Sequence, residues 1–184
     1  MTTLEGRAAT AVLVIDMQRD VVADAVDRDG TVARIAALVA RARASGVAVV
    51  WVQDTLDGAQ GSDGWGLVDA LAPHPGEPVV AKEHGDAFED TDLERALAAL
   101  GAGRLVVCGA QTDACVRSTI HGAFARGYDV TLVEDGHTTV DHSAFGAPPP
   151  AQVIAHTNLY WRYQSGPGKR ADVVPAARIV LATP

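Results

Sequence analysis

The sequence predicts an α/β protein: a three-layer sandwich in which a mostly parallel, about six-stranded sheet carries helices on both faces. Three observations carry this expectation. Short, continuous apolar runs recur along the chain, of the kind found in strands buried on both faces of a parallel sheet. Amphipathic stretches of helical spacing alternate with these runs, and few hairpin signals lie between them, so consecutive strands are joined by crossovers. Finally, 184 residues with 48% hydrophobic content suffice for one sizeable core and call for no second domain, giving a single domain over residues 1–184.

Taken in order, Ala11 to Ile15 (AVLVI) is the first strand and ends in Asp16. Between Thr31 and Ala44, Val32, Ile35, Leu38 and Val39 recur at helical spacing among arginines, and Gly46 supplies a C-terminal stop. Val47 to Val52 is the second strand, followed by a long surface loop from Asp54 to Gly66 that is rich in Gly and Asp. Val79 to Ala81 is a short third strand with Lys82 at its end; Thr91 to Leu100 reads as a helix opened by a capping box of Thr91 with Glu94. Leu105 to Cys108 is the fourth strand, Gly109 a tight turn, and Asp113 to Arg126 a helix closed by Gly127. Val130 to Val133 is the fifth strand. A polar, then proline-rich stretch leads to a helix over Ala151 to Gln164, and Arg178 to Ala182 reads as the sixth strand.

Charge and composition narrow the function. The 23 acidic against 15 basic residues give a net charge of -8, a field that repels polyanions, so nucleic acid is not an expected partner. No segment approaches the roughly 20 apolar residues that span a bilayer, and residues 1–10 carry no export signal, so the expected location is cytoplasmic. Two cysteines, Cys108 and Cys115, are too few for a disulfide framework and fit a reducing compartment.

In an open parallel sheet, ligands bind outside the carboxyl ends of the strands. Three residues stand there: Asp16, Lys82 and Cys115, the last in the turn GAQTDAC. Singly each has a plain structural explanation: a cap, a solvated lysine, a buried thiol. Cys115 differs from Cys108 in opening a helix, where unpaired N–H groups and the positive dipole end favour a thiolate. An ammonium at Lys82 would lower the thiol pKa further, and a carboxylate at Asp16 could take the thiol proton and return it to a leaving amine. Together they form an acyl-transfer set.

In order, Val14-Ile15-Asp16-Met17-Gln18, Lys82 with Ala87-Phe88 and Thr91-Asp92-Leu93, and Gly109-Ala110-Gln111-Thr112-Asp113-Ala114-Cys115-Val116 resemble the isochorismatase-like cysteine hydrolases. The resemblance implies Asp16 as general acid/base, Lys82 as stabiliser of charge, and Cys115 as the nucleophile that forms a thioester. It also implies an oxyanion hole from the backbone N–H groups of Gln111 and Cys115, a cis peptide joining Ala110 to Gln111, and a homo-oligomer, dimer or tetramer. The nicotinamidase branch carries an Asp-x-His metal motif after the second strand, where this chain reads Asp54-Thr55-Leu56-Asp57. A metal-dependent nicotinamidase is therefore disfavoured. True isochorismatases, which cleave a vinyl ether, lack the cysteine, so Cys115 argues for the amidase side.

None of the six histidines, His74, His84, His121, His137, His142 and His156, forms a helical pair of metal-ligand spacing, so no metal and no cofactor is assigned. His121 reads as structural. Gln18, Trp65, Phe88, Ala110, Tyr160 and Trp161 are candidates to wall a small-molecule pocket. The segment Val153 to Trp161 (VIAHTNLYW) resembles a bacterial subgroup of the family, that of streptothricin hydrolase, a lactam-opening enzyme. The expected activity is therefore cysteine-dependent cleavage of a C–N bond in a small amide, lactam, or ureido or carbamoyl compound. Two rivals remain: an inactive binding or scaffold protein of the same fold, and a redox protein using both thiols, whose spacing lacks the Cys-x-x-Cys register.

Overall fold

The computed structural model describes residues 2–56 and 60–181. Its sheet is built from β1 (Ala9–Ile15), β2 (Ala48–Asp54), β3 (Val79–Lys82), β4 (Ala102–Ala110), β5 (Asp129–Thr138), β6 (Ser165–Gly166) and β7 (Lys169–Val174), in the order β3-β2-β1-β4-β5-β7-β6. Every pairing is parallel except that of β6 with β7. The helices are α1 (Arg28–Ala44), α2 (Leu93–Ala99), α3 (Arg117–Arg126) and α4 (Pro150–Arg162).

Alternation along β1 shows why continuous apolar runs were needed. Ala11, Leu13 and Ile15 face a core shared with α2, α3 and α4, through Leu93, Leu97, Ile120, Phe124 and Trp161. Val12 and Val14 face the opposite core, against Ile35, Leu38 and Val39 of α1. A strand covered on both sides has no polar face to expose. The chain passes from β1 outward to β2 and β3, then returns to place β4 on the other side of β1. The crevice beyond β1 and β4 is thus the point where strand order reverses.

Gly109 is required there by close approach. It pairs in register with Ile15, has φ 128, and a Cβ on it would lie 2.0 Å from the Ile15 carbonyl oxygen. The peptide between Ala110 and Gln111 is cis, as the family resemblance implied. Gly46 ends α1 as expected: with φ 67 it lets the Val47 N–H reach back to the Ala42 carbonyl at 2.9 Å.

Four expectations change. The capping box does not form: α2 starts at Leu93 without a side-chain cap, because Glu94 is drawn away to Arg7 at 2.6 Å and to the Tyr128 hydroxyl at 2.7 Å. The Thr91 hydroxyl instead donates to the Ala87 carbonyl and accepts from the Leu93 N–H at 3.2 Å. The helix expected from Asp113 starts as a π-helical turn, Thr112–Val116, in which the Gln111 carbonyl accepts from both Ala114 and Val116. β5 runs five residues beyond the expected end, to Thr138, through a register shift opposite Val107 to Gly109. No strand forms at Arg178 to Leu181; residues 176–178 are a 3-10 turn, and Ala182 lies outside the described residues. The sheet is completed instead by the β6–β7 hairpin, whose Pro167-Gly168 turn, with Gly168 at φ 69, carries the chain back. Of the Asp54 to Gly66 loop, residues 57–59 also lie outside the described residues.

Candidate active site

Four strand ends converge beyond the carboxyl edge of the sheet. Asp16 follows β1 with left-handed backbone (φ 48), a conformation that Asp tolerates better than most residues. Asp54 ends β2 and Lys82 ends β3, directly opposite one another in the parallel register. Cys115 sits in the π-helical turn after β4. The Lys82 ammonium is the centre: its Nζ lies 2.8 Å from Asp16 Oδ2, 2.5 Å from Asp54 Oδ2 and 3.2 Å from Cys115 Sγ. One carboxylate oxygen from each aspartate and the sulfur lie within 4.8 Å of one another. The structure thus brings together the three residues expected at strand ends and adds Asp54.

Burial sets the proton inventory. Lys82 and Asp16 are each 1% exposed. Burial alone would discharge the ammonium, but the Asp16 and Asp54 carboxylates reverse this and raise the Lys82 pKa, so it remains charged. Asp16 is pushed up to about 6, first by burial, with Lys82 opposing. Neither of its oxygens accepts a well-formed hydrogen bond among the described residues, which leaves lone pairs for a proton. The expectation of an acidic thiol at Cys115 is overturned: burial, then the charge of Asp16, push it up to about 12 against the pull of Lys82. The resting site is therefore a neutral thiol beside a charged pair. Cys108 is fully buried, its Sγ 3.6 Å from the Leu13 carbonyl oxygen, and burial pushes it likewise up to about 12. Both cysteines are free.

Asp54 is held from behind. The Gln18 side chain clamps its backbone on both sides, accepting from the Asp54 N–H at 2.7 Å and donating to its carbonyl at 2.9 Å. The Trp65 indole N–H donates to the same carbonyl at 3.0 Å. The Asp54 Oδ1 accepts from the Leu56 N–H. The available signal for Asp54 was its position at the end of an apolar strand run, the criterion that selected Asp16 and Lys82. Reading it as the first residue of a loop hid it. The cluster of Asp16, Asp54 and Cys115 is poorly suited to a metal ion, because the Lys82 ammonium already occupies the space between their ligand atoms.

The pocket candidates separate. Gln18 spends its amide on Asp54 and is buried, so it positions rather than lines. Phe88 packs in the core against Tyr128, with rings 5.7 Å apart, under the Arg126 guanidinium. Ala110 and Trp161 are fully buried in the two cores, and these three are placed as packing residues instead of pocket walls. Trp65 is half-buried at the edge of the site. Tyr160 stacks on His121 at 5.6 Å and lines a cleft of about 690 Å³ between α3 and α4 with Asp113, Arg117 and Gln152, two of which flank Cys115 in sequence. Lys82 borders a different cleft of about 390 Å³, with Thr55, Gln60, Glu83, His84 and Asp90. Gln111 immediately precedes the π-helical turn and Cys115 is its fourth residue.

Residues 10–147 match the isochorismatase domain model. A streptothricin hydrolase of Streptomyces noursei is 36% identical over 179 residues, which cover 92% of this chain and 63% of that protein. A ureidoacrylate amidohydrolase of Methylobacterium radiotolerans is 32% identical, over 70% of this chain and 66% of that protein. The chain thus spans about two thirds of the length of these relatives. An isochorismatase structure from Pseudomonas putida KT2440 superposes with a TM-score of 0.81 at 28% identity, covering 93% of this chain and 90% of that one. With a match over most of its length and the fold to go with it, the chain belongs to the isochorismatase family.

Proposed function

We propose that the protein is a cysteine hydrolase that cleaves the C–N bond of a small amide, lactam, or ureido or carbamoyl compound, with the whole chain as one catalytic domain. The observation that carries this reading is the Lys82 ammonium in simultaneous contact with Asp16, Asp54 and Cys115 Sγ. The relatives named as amidohydrolase and streptothricin hydrolase support the choice of bond.

With the thiol neutral at rest, attack is coupled to proton transfer. Asp16, charged above about pH 6, takes the Sγ proton as the sulfur adds to the substrate carbonyl. Negative charge then develops on the carbonyl oxygen, where the backbone N–H groups of Gln111 and Cys115 are the proposed donors. Asp16 delivers its proton to the nitrogen as the C–N bond breaks, leaving a thioester and a free amine. Water then adds to the thioester with Asp16 again as base, and the acid is released with Cys115 regenerated. Lys82 stays protonated throughout, and Asp54 holds it in place so that Asp16 can cycle between its two states without losing its cationic neighbour.

Among the described residues no helix is long and apolar enough to cross a membrane. A cytoplasmic location and a homo-oligomer, dimer or tetramer, belong to the same proposal, the latter supported by exposed apolar side chains such as Leu159 and Phe145. The deciding experiment measures amine release from a panel of small amides, lactams and ureido compounds, for the native protein and Cys115→Ala, without added metal. Turnover that vanishes in the variant is the expected result; turnover that survives overturns the nucleophile.

A further inference from the structure

We infer that His137 and Thr112 are positioning residues that hold the turn carrying Cys115, through a partly buried hydrogen-bonded chain whose proton directions the partners determine. His137, at 3% exposure, sits in the part of β5 that runs past the register shift, opposite Gly109. Its Nδ1 lies 2.8 Å from the Thr112 hydroxyl and its Nε2 3.0 Å from Asn158 Oδ1. Asn158 Nδ2 donates to the Glu134 carbonyl at 2.9 Å. A carbonyl can only accept, so the Asn158 amide nitrogen must face Glu134 and its oxygen must face His137. The ring therefore carries its proton on Nε2, and Nδ1 accepts from the Thr112 hydroxyl. Burial favours this neutral form.

Thr112 is the first residue of the π-helical turn and is fully buried. Its carbonyl accepts from the Arg117 N–H, while the preceding Gln111 carbonyl accepts from Ala114 and Val116, so the turn hangs from these two residues. Thr139, two residues after His137, adds a second tie by donating to Asp113 Oδ1 at 2.7 Å. The far end of β5 and α4 thereby brace the segment from which both Cys115 and the proposed oxyanion donors project. The role of these bonds is to hold the half-buried thiol in place beside Lys82.

This inference rests on Cys115 being the reactive group, and its test reads the thiol directly as well as turnover. Iodoacetamide modification of Cys115 and of Cys108 is followed site by site by mass spectrometry, at a temperature well below melting, for native protein, Thr112→Val, Thr112→Ser and His137→Phe. Valine keeps the shape of threonine and removes its hydroxyl; serine keeps the hydroxyl. A loosened turn exposes further a thiol that is half-buried in the native fold, so Thr112→Val is expected to speed modification of Cys115 about tenfold, the factor that goes with one lost buried hydrogen bond. Cys108 keeps its native rate, Thr112→Ser stays near native at both sites, and His137→Phe, where it folds, follows Thr112→Val. With an active substrate in hand, kcat falls in Thr112→Val while KM is kept, since the lost alignment matters in the transition state. Equal acceleration of both cysteines, an unchanged Cys115, or a serine variant as damaged as the valine one overturns the inference. Absence of turnover in native protein would instead count against the hydrolase reading and leave the thiol measurement to decide this one.

Discussion

At the scale of single residues, the proton balance around Lys82 makes an unusual demand on Asp16. Its charge helps keep the Cys115 thiol protonated, yet in the proposed mechanism the same carboxylate accepts that proton for attack. Asp16→Asn is therefore expected to make the thiol more acidic, because the Lys82 charge is left to act without its opponent, and to lower kcat about 10²–10⁴-fold, the usual worth of a positioned acid–base group. Ultraviolet thiolate absorbance and steady-state turnover on the same sample check the two effects; a variant in which both fall would sink the assignment. The pH dependence follows with its sign. Asp16 must be unprotonated, so kcat/KM rises from the acid side with an apparent pKa about 6 that belongs to the coupled Asp16–Cys115 pair. That limb disappears in Asp16→Asn. Asp16, Lys82 and Cys115 were legible because each follows an apolar run or opens a helix, where the fold places function. Asp54 was not, since the same apolar run ended in what reads equally well as a polar loop. The acidity of the thiol was misread for a related reason: sequence shows which charges are near in kind, whereas burial, the dominant cause here, exists only once the sheet has formed.

At the scale of elements, Glu77 ties the loop before β3 to α1 and β2. Its carboxylate accepts two bonds from Arg43 at 2.8 Å, one from the Trp51 indole at 2.7 Å and one from the His74 N–H at 2.9 Å. Burial works to raise its pKa, but these bonds win and hold it down to about 2. A depressed carboxylate contributes stability that is present above its unfolded value, near 4.5, and is lost as pH falls toward 2. Discounted for partial solvent access, the contribution is about 1–2 kcal/mol. Urea unfolding of Glu77→Gln should show that loss already at pH 7 and a flatter decline between pH 4.5 and 2 than the native protein. Strand and helix positions were readable wherever apolar periodicity spoke alone, as in β1 and α1. They failed where a tertiary partner intervened: Glu94 leaves its expected cap for Arg7 and Tyr128, and β5 continues through polar residues because His137 finds a partner in the turn after β4, as does Thr139 just beyond the strand. The final strand was misplaced because Arg178 to Leu181 is the more apolar run, while the Pro167-Gly168 turn that closes the sheet gives only a short-range signal.

At the scale of the whole molecule, the proposed self-association has a direct measurement. Light scattering should report a mass that is a multiple of the 19.1 kDa chain, and Leu159→Glu, which places charge at a position 55% exposed on α4, should shift that mass toward the monomer. A native monomer at micromolar concentration would remove the oligomer from the proposal. The parallel architecture itself was legible because both faces of its strands are covered, which leaves continuous apolar runs as their trace; the strand order was not, because no local pattern states which neighbour a strand chooses. That order has one more implication. The four polar groups of the site come from four different strands, and Lys82 rides on a strand of four residues whose register sets it opposite Asp54. A slip of a single residue would swing the ammonium to the other side of the sheet, while the helical and strand content would hardly change. Recovery of catalysis after refolding is thus a fidelity gauge for strand alignment, able to distinguish correctly threaded molecules from compact near-misses that circular dichroism would count as native.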